Sequence, residues 1–373
     1  MIALLPGAKL DNDMFSIRDG TCRGRAVVPA SMALCLVLMG WPLLAQVGLS
    51  RQTAQKEIES RLAKQEMAGA LATYDEYVKA AKAPDVTLLR PIAEAELRRS
   101  GESGGVAAAL ALEGLARGGD RAALTALRQL ADVESADSAE ALVPATSLVR
   151  LGDPGAVKRL SGRLDRASDA VKPHIIEALR KADARSEAGR IAQLLGASDL
   201  RIRTAAVVAV GALQFQPAIP QLRTIFEADV EIVRMAAAIA LKRLGDSSAD
   251  AYVGKLLASE VPDAQLKAAE SYGPANAKLW VPRVRALRND RDPMVRLRAA
   301  DALACCDAAS ARAVLIDTLA SEIPGMRAEA ARVLDERDLA DPRIARRLLS
   351  DDFPVIRAHG ANEVIRLAVA RPR

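Results

Sequence analysis

Little in this chain can do acid–base, nucleophilic or metal chemistry. Histidine occurs only twice, as His174 and His359, in the same variable slot of two different repeats. An ordinary surface or boundary role is expected of each. The four cysteines are Cys22, Cys35, Cys305 and Cys306. Their spacing matches neither a zinc site nor a disulfide framework. The vicinal pair could close only a strained eight-membered ring, and reads as two small buried side chains on a helix. No glycine-rich phosphate loop and no Gly-x-Ser-x-Gly turn occurs. The chain is therefore expected to be non-catalytic, with no catalytic residue, no metal and no cofactor.

What the sequence does hold is patterned charge. Seven segments, at 156–164, 188–195, 218–226, 251–257, 277–287, 311–319 and 343–349, some of the form Ala-x-x-x-Leu-x-x-x-Leu as in 156–164 and 311–319, carry thirteen basic residues against one acid, Asp317. Over the whole chain the totals are nearly even, 52 to 47. Lys158, Arg159, Arg163, Arg190, Arg223, Lys255, Arg283, Arg312 and Arg346 are the cations singled out. If these segments line a concave face, a one-sign surface would concentrate an anionic partner. The same cations would equally suit the later turns of helices and cover apolar surface with their stems, so both readings stand. Trp280 lies in one such segment, with Tyr252 and Tyr272 near it in sequence; it is either a binding hot spot or core filling. The net charge of +5 is mild for 373 residues, and with 3% aromatics few rings are available to stack bases. Nucleic acid is disfavoured accordingly. The expected partner is a protein, an acidic one if the groove is basic.

The elements that position these residues follow from composition and period. Half of the chain is hydrophobic, mostly Ala and Leu, which are strong helix formers and suit helices that approach closely. One nine-residue pattern recurs: apolar, basic, two variable, two small, one variable, small, apolar. Val233-Arg-Met-Ala-Ala-Ala-Ile-Ala-Leu241 and Val295-Arg-Leu-Arg-Ala-Ala-Asp-Ala-Leu303 are clear copies. Its basic position falls at Lys172, Arg203, Arg234, Lys267, Arg296, Arg327 and Arg357, 29 to 33 residues apart. Each repeat reads as two helices: the motif helix, often opened by an Asp (Asp199, Asp229, Asp292, Asp352) that can cap free N–H groups, then the Ala/Leu helix. One such pair cannot bury its apolar face, and stacked neighbours can. Gly273-Pro274 should end one motif helix early and kink the array.

The pattern Asp-x-x-Val-Arg-x-x-Ala-Ala-x-Ala-Leu with this period resembles the short HEAT repeats of the phycobilisome-lyase type, over about residues 139–373. The resemblance implies a structural ladder of Asp and Arg: here Asp199 with Arg203, Asp229 with Arg234 and Asp292 with Arg296, continued by Arg327 and Arg357. It does not transfer an activity. Bilin attachment belongs to particular members of that family, and the HEAT-repeat hydroxylases need several His-Glu motifs for iron, which this chain lacks.

Residues 26–48 carry no charge and follow Arg23 and Arg25. This is the layout of a secretory signal, with cleavage after Ala45, or of an uncleaved anchor, since about 20 apolar residues can cross a bilayer. The expected organisation is thus 1–45, a signal peptide or membrane anchor; 46–138, divergent helical repeats forming an N-terminal cap; and 139–373, seven to eight HEAT-like repeats. The fold expected is all-α: a right-handed α-α superhelix behind a hydrophobic leader helix. The function expected is an exported, periplasmic scaffold binding a protein partner along its concave face. The alternative is an inner-membrane-anchored assembly or accessory factor, in contact with the membrane only through residues 26–48, or a lyase-type enzyme subunit.

Overall fold

The computed structural model describes residues 49–132, 138 and 140–370. The expected leader, with Cys22 and Cys35, lies outside the described residues. Leu49 onward forms one compact unit, and no strand occurs among the described residues. None of their helices is long and apolar enough to cross a membrane.

Among the described residues twenty α-helices follow one another. The first five are α1 (Arg51–Ala63), α2 (Met67–Ala81), α3 (Val86–Gly101), α4 (Gly105–Arg117) and α5 (Arg121–Asp132). Next come α6 (Val143–Arg150), α7 (Ala156–Leu164), α8 (Lys172–Lys181), α9 (Ala188–Ala192) and α10 (Leu200–Ala212). The array continues through α11 (Ile219–Ala228), α12 (Glu231–Arg243), α13 (Asp250–Ala258), α14 (Pro262–Tyr272) and α15 (Ala277–Ala286). It ends with α16 (Pro293–Leu303), α17 (Ala308–Thr318), α18 (Pro324–Glu336), α19 (Pro342–Leu348) and α20 (Pro354–Ala370). This is a HEAT-like solenoid of stacked helix pairs.

The motif helices are the even-numbered ones from α4 to α20, and they pack directly on one another. Their double alanines permit it: Ala237, Ala299, Ala300, Ala330 and Ala331 are fully buried. Gly211 of α10 lies so close to α12 that a β-carbon there would sit 2.6 Å from Ala240 Cα. In a curved stack the more tightly spaced row is the inner one, so the motif helices are inside and the Ala/Leu helices outside. The expectation that the Ala/Leu segments line the concave face is corrected on this ground. Side chains from distant motif helices also meet: Lys181 Nζ lies 3.8 Å from Glu336, and Arg117 Nη1 lies 3.8 Å from Asp335.

These meetings are possible because the array closes on itself. The last helix, α20, packs against α3 and α4. A second apolar core holds that seam, joining Leu89, Ile92 and Leu97 to Ala361, Val364 and Ile365. The main core runs without interruption from Ala109 to Ile356, so residue 138 does not mark a break between cores.

One local expectation is met in the structure and two change. Gly273, with φ 62°, does end α14, and Trp280 fills the core there: it is buried, and its indole N–H donates to Gly273 O at 2.9 Å. Cys305 is exposed and Cys306 half-buried, in the turn after α16 rather than inside a helix. His359 is buried, not at a surface or boundary, whereas His174 is exposed.

Candidate functional site

Two places gather polar or apolar groups beyond what packing requires: the seam and one rim of the ring. The seam holds carboxylates that the fold has taken out of water. Glu96, Glu113 and Glu363 are fully buried. Burial of a charge is tolerable only when it is paired, and each has an arginine. Arg357 Nε donates to Glu96 at 2.7 Å. Arg150 Nε and Arg117 Nη2 donate to Glu113 at 2.9 and 2.8 Å. Arg366 holds Glu363 through Nε at 3.1 Å.

Beside them His359 Nδ1 and Asp335 Oδ2 are 2.8 Å apart. Burial pushes the Asp335 carboxyl up, but His359, Arg117 and Arg150 together bring it below its ordinary value. Burial pushes the Glu363 carboxyl up to about 8, opposed by Arg366 and reinforced by the neighbouring Asp335 charge. A carboxyl that keeps its proton near neutrality could act as an acid, but structural ion-pair networks shift carboxyls in the same way. Asn362 is also fully buried, and its side-chain N and O have no hydrogen-bond partner among the described residues.

The rim is built differently. The six turns that lead into α10, α12, α14, α16, α18 and α20 each present a large apolar side chain to solvent. Leu200, Val230, Val261, Met294, Ile323 and Phe353 are each 40 to 60% exposed. With Ile232 beside Val230, this rim holds seven of the ten large exposed hydrophobics, so the placement is not scatter. The residues stand before or at the first turn of α10, α12, α14, α16, α18 and α20. Acids flank them: Glu231, Glu260, Asp292, Glu322 and Asp352 are all exposed.

Of the motif arginines beneath this rim, Arg234 pairs with Glu231, and others are held by their own turns. Arg203 Nη1 donates to the carbonyls of Ala197 and Ser198, and its Nε and Nη2 reach Asp229 at 2.9 and 3.2 Å. Arg327 repeats the arrangement with Ser321, Glu322 and Asp351. Arg296 and Arg357 bond the same two carbonyl positions of their own turns. At Arg203 and Arg327 the ladder therefore runs from the arginine to the aspartate of the next repeat. Asp199 caps α10 and pairs with Arg201, Asp292 caps α16, and Arg234 pairs with Glu231. The pairings Asp199 with Arg203, Asp229 with Arg234 and Asp292 with Arg296 are replaced by these.

The residues expected to bind a partner lie on the outer helices and are not brought together. Arg159 is held by Asp132 and Asp153, Arg190 by Asp165, and Arg223 by Asp246. Arg223 and Ser248 draw the Asp246 carboxyl down to about 2. Arg163 donates to the carbonyls of Ala131 and Ala141. Arg346 closes the seam from outside, bound to Asp75 at 2.6 Å. Lys158, Lys255 and Arg283 are exposed, and Arg312 is half-buried. The acids that the basic segments lack are supplied by the turns and neighbouring helices, so a one-sign groove does not form. The apolar rim was missed in the sequence. Its signal was available: one large apolar residue in most of the turns leading into a motif helix.

Known proteins agree with the architecture. A family model described as HEAT repeats matches residues 187–273. No curated protein matches the chain. Among solved structures, the complex of CpcE and CpcF of phycocyanin lyase from Nostoc sp. PCC7120 is 21% identical, with a TM-score of 0.40, covering 62% of this chain and 88% of that one. Human deoxyhypusine hydroxylase in complex with glycerol is 18% identical, with a TM-score of 0.33, covering 67% of this chain and 98% of that one. Residues 187–273 match HEAT repeats, and the repeat pattern resembles that of the lyase type. The expectation that the chain is not an enzyme is corrected here. Both similar structures are named for enzymes.

Proposed function

We propose that this closed ring of helix pairs is a scaffold that binds a protein partner, and that the contact surface is the apolar rim rather than the concave side. The observation that carries the reading is the run of six exposed apolar side chains at one position in six successive repeats. Single exposed hydrophobics are ordinary on a soluble protein. A contiguous exposed patch marks an interaction site. The concave side is a weaker candidate because its charges already pair across the ring.

The test is in-cell photo-crosslinking of the full chain with a benzoylphenylalanine at Thr204, on the motif helix beside the rim. A discrete crosslinked protein, absent when the label is moved to Lys158 on the outer face, supports the reading. No crosslinked species from either position overturns it. Export is part of the same proposal and rests on the uncharged stretch 26–48. N-terminal sequencing of the mature chain tests it: a start at Gln46 supports cleavage and export, and an intact start in a soluble cytoplasmic fraction counts against both.

A further inference from the structure

Four motif arginines are anchored alike, and one of them is left half-used. Arg203, Arg296, Arg327 and Arg357 each donate through Nη1 to the carbonyls six and five residues earlier. In three of them Nε also meets a carboxylate: Asp229 at 2.9 Å, Asp351 at 2.8 Å and Glu96 at 2.7 Å. Arg296 has only its two carbonyls. Its Nε and Nη2 have no partner among the described residues.

A change of one residue type in the next turn accounts for the difference. Asp351 accepts from Phe353 N at 3.0 Å and also holds Arg327. At the matching place one repeat earlier stands Ser321, whose Oγ accepts from Ile323 N at 3.2 Å. The serine thus keeps the bond that shapes the turn and supplies no carboxylate to the arginine. A cavity of about 300 Å³ lies there, lined by Arg296, Arg288, Ser321, Val314 and Met326 among others.

We infer that this cavity binds a carboxylate, which lies against Arg296 as Asp351 lies against Arg327. Its two oxygens take the Nε and Nη2 hydrogens in the parallel fork that suits a planar carboxylate. Ser321 Oγ serves Ile323 N with a lone pair, and its own hydrogen is left to donate to the ligand. Arg288 is exposed on the same cavity and has no ion pair among the described residues, so it adds a second positive charge. Buried Val314 and Met326 form an apolar wall, and excluding water from one side strengthens the pairing. One acid, Asp317, also lines the cavity, and the two guanidiniums outweigh it. Glu322 stands five residues before Arg327, as Asp229 stands before Arg234. It is exposed and meets no cation among the described residues, so it is placed to compete for the fork.

The probe is sodium acetate, titrated at constant ionic strength into the full chain labelled with nitrogen-15. The arginine Nε–Hε resonances are read, and R296K identifies that of Arg296 by its loss. The expected result is a saturable shift of the Arg296 resonance, with those of Arg203 and Arg327 unmoved because their forks are filled. S321D places the protein's own carboxylate in the cavity. It should move the Arg296 resonance without acetate and abolish the acetate response, at a melting temperature no lower than wild type. E322Q should bind acetate at least as tightly as wild type. An Arg296 resonance displaced by E322Q alone shows that Glu322 already fills the fork, and overturns the inference. So does an unsaturable drift shared by all exposed arginines, an acetate response that survives in S321D, or tighter binding of inorganic phosphate than of acetate. A capped Val-Asp-Val tripeptide decides the source of the carboxylate. Binding about tenfold tighter than acetate, the worth of about one further charge-assisted hydrogen bond, assigns it to a peptide. Equal or weaker binding assigns it to a small free acid.

Discussion

Arg357, in the first turn of the last helix, donates its Nε to Glu96, a fully buried carboxylate 261 residues earlier in the chain. The same guanidinium bonds the carbonyls of Asp351 and Asp352 through Nη1. Arg203 and Arg327 reach forward in a like way, to Asp229 and Asp351 of the next pair. At α20 the first helices of the array take that place. The rule that stacks neighbours thus also closes the ring, with Glu96 of α3 standing where Asp229 or Asp351 stands elsewhere.

Arg357→Met should destabilise the protein more than any ladder arginine in mid-array. It leaves Glu96 buried beside only Arg99 and Ser100, and removing one partner of a buried pair costs about 3–5 kcal/mol. Hydrogen exchange should show lost protection in α3, α4 and α20 together, while α10 to α14 keep theirs. Uniform loss along the array would mean that the seam is not a separate closing unit.

Glycines on the inner and outer rows should respond to alanine with opposite signs. A β-carbon at Gly114 would overlap Asn362 Oδ1 and lie 2.8 Å from Leu97 Cδ1, so Gly114→Ala must push the seam apart. Gly162 on α7 is exposed with nothing within 4 Å of such a carbon. There Ala should gain up to about 1 kcal/mol through helix propensity. Urea midpoints of the two variants, measured side by side, check the sign of each.

The repeat was legible because its signal is local: Val-Arg-x-x-Ala-Ala is read within one helix, and its period needs only counting. Which helix faces inward was also encoded, since Ala236, Ala237 and Gly211 mark the closer approach. That cue lost out to the basic bias of the other row. The ring closure left no trace, because Asp75 with Arg346 and Glu96 with Arg357 are single pairs between distant segments with no period to find. The acids that neutralise the outer cations were missed for a related reason. Asp153, Asp165 and Asp246 lie in turns or at helix ends outside the counted windows.

Asp229→Ala should cost less than the seam change and act locally. It removes the bidentate partner of Arg203, whose side chain is only 18% exposed, but leaves the carbonyl bonds in place. Arg203→Lys should not restore what Arg provides, because an ammonium cannot bridge two carbonyls and a carboxylate in one plane. Thermal melts of D229A, R203K and the double variant form a cycle, and a coupling near zero would remove the ladder from the list of stabilising features.

Glu363 should make stability fall as pH rises from about 4.5 to 8. Its carboxyl keeps a proton in the folded ring up to about 8, whereas its ordinary value is 4.5. Between those values the unfolded chain has released a proton that the folded chain still holds. The folded state binds more protons there, so rising pH favours unfolding. Below 4.5 both states are protonated and the penalty vanishes. Asp335 acts in the opposite sense and in another window: its lowered value contributes stability above 3.8 that is lost as the pH drops further. Glu363→Gln keeps the shape, abolishes the titration and should flatten the melting temperature between pH 5 and 8, with the largest gain over wild type at the alkaline end. Asp335 would then lose the carboxyl whose charge opposes it, but would keep His359, Arg117 and Arg150. The acid limb below pH 4 should therefore persist in the variant. A variant that retains the full alkaline slope would place the proton on some group other than Glu363.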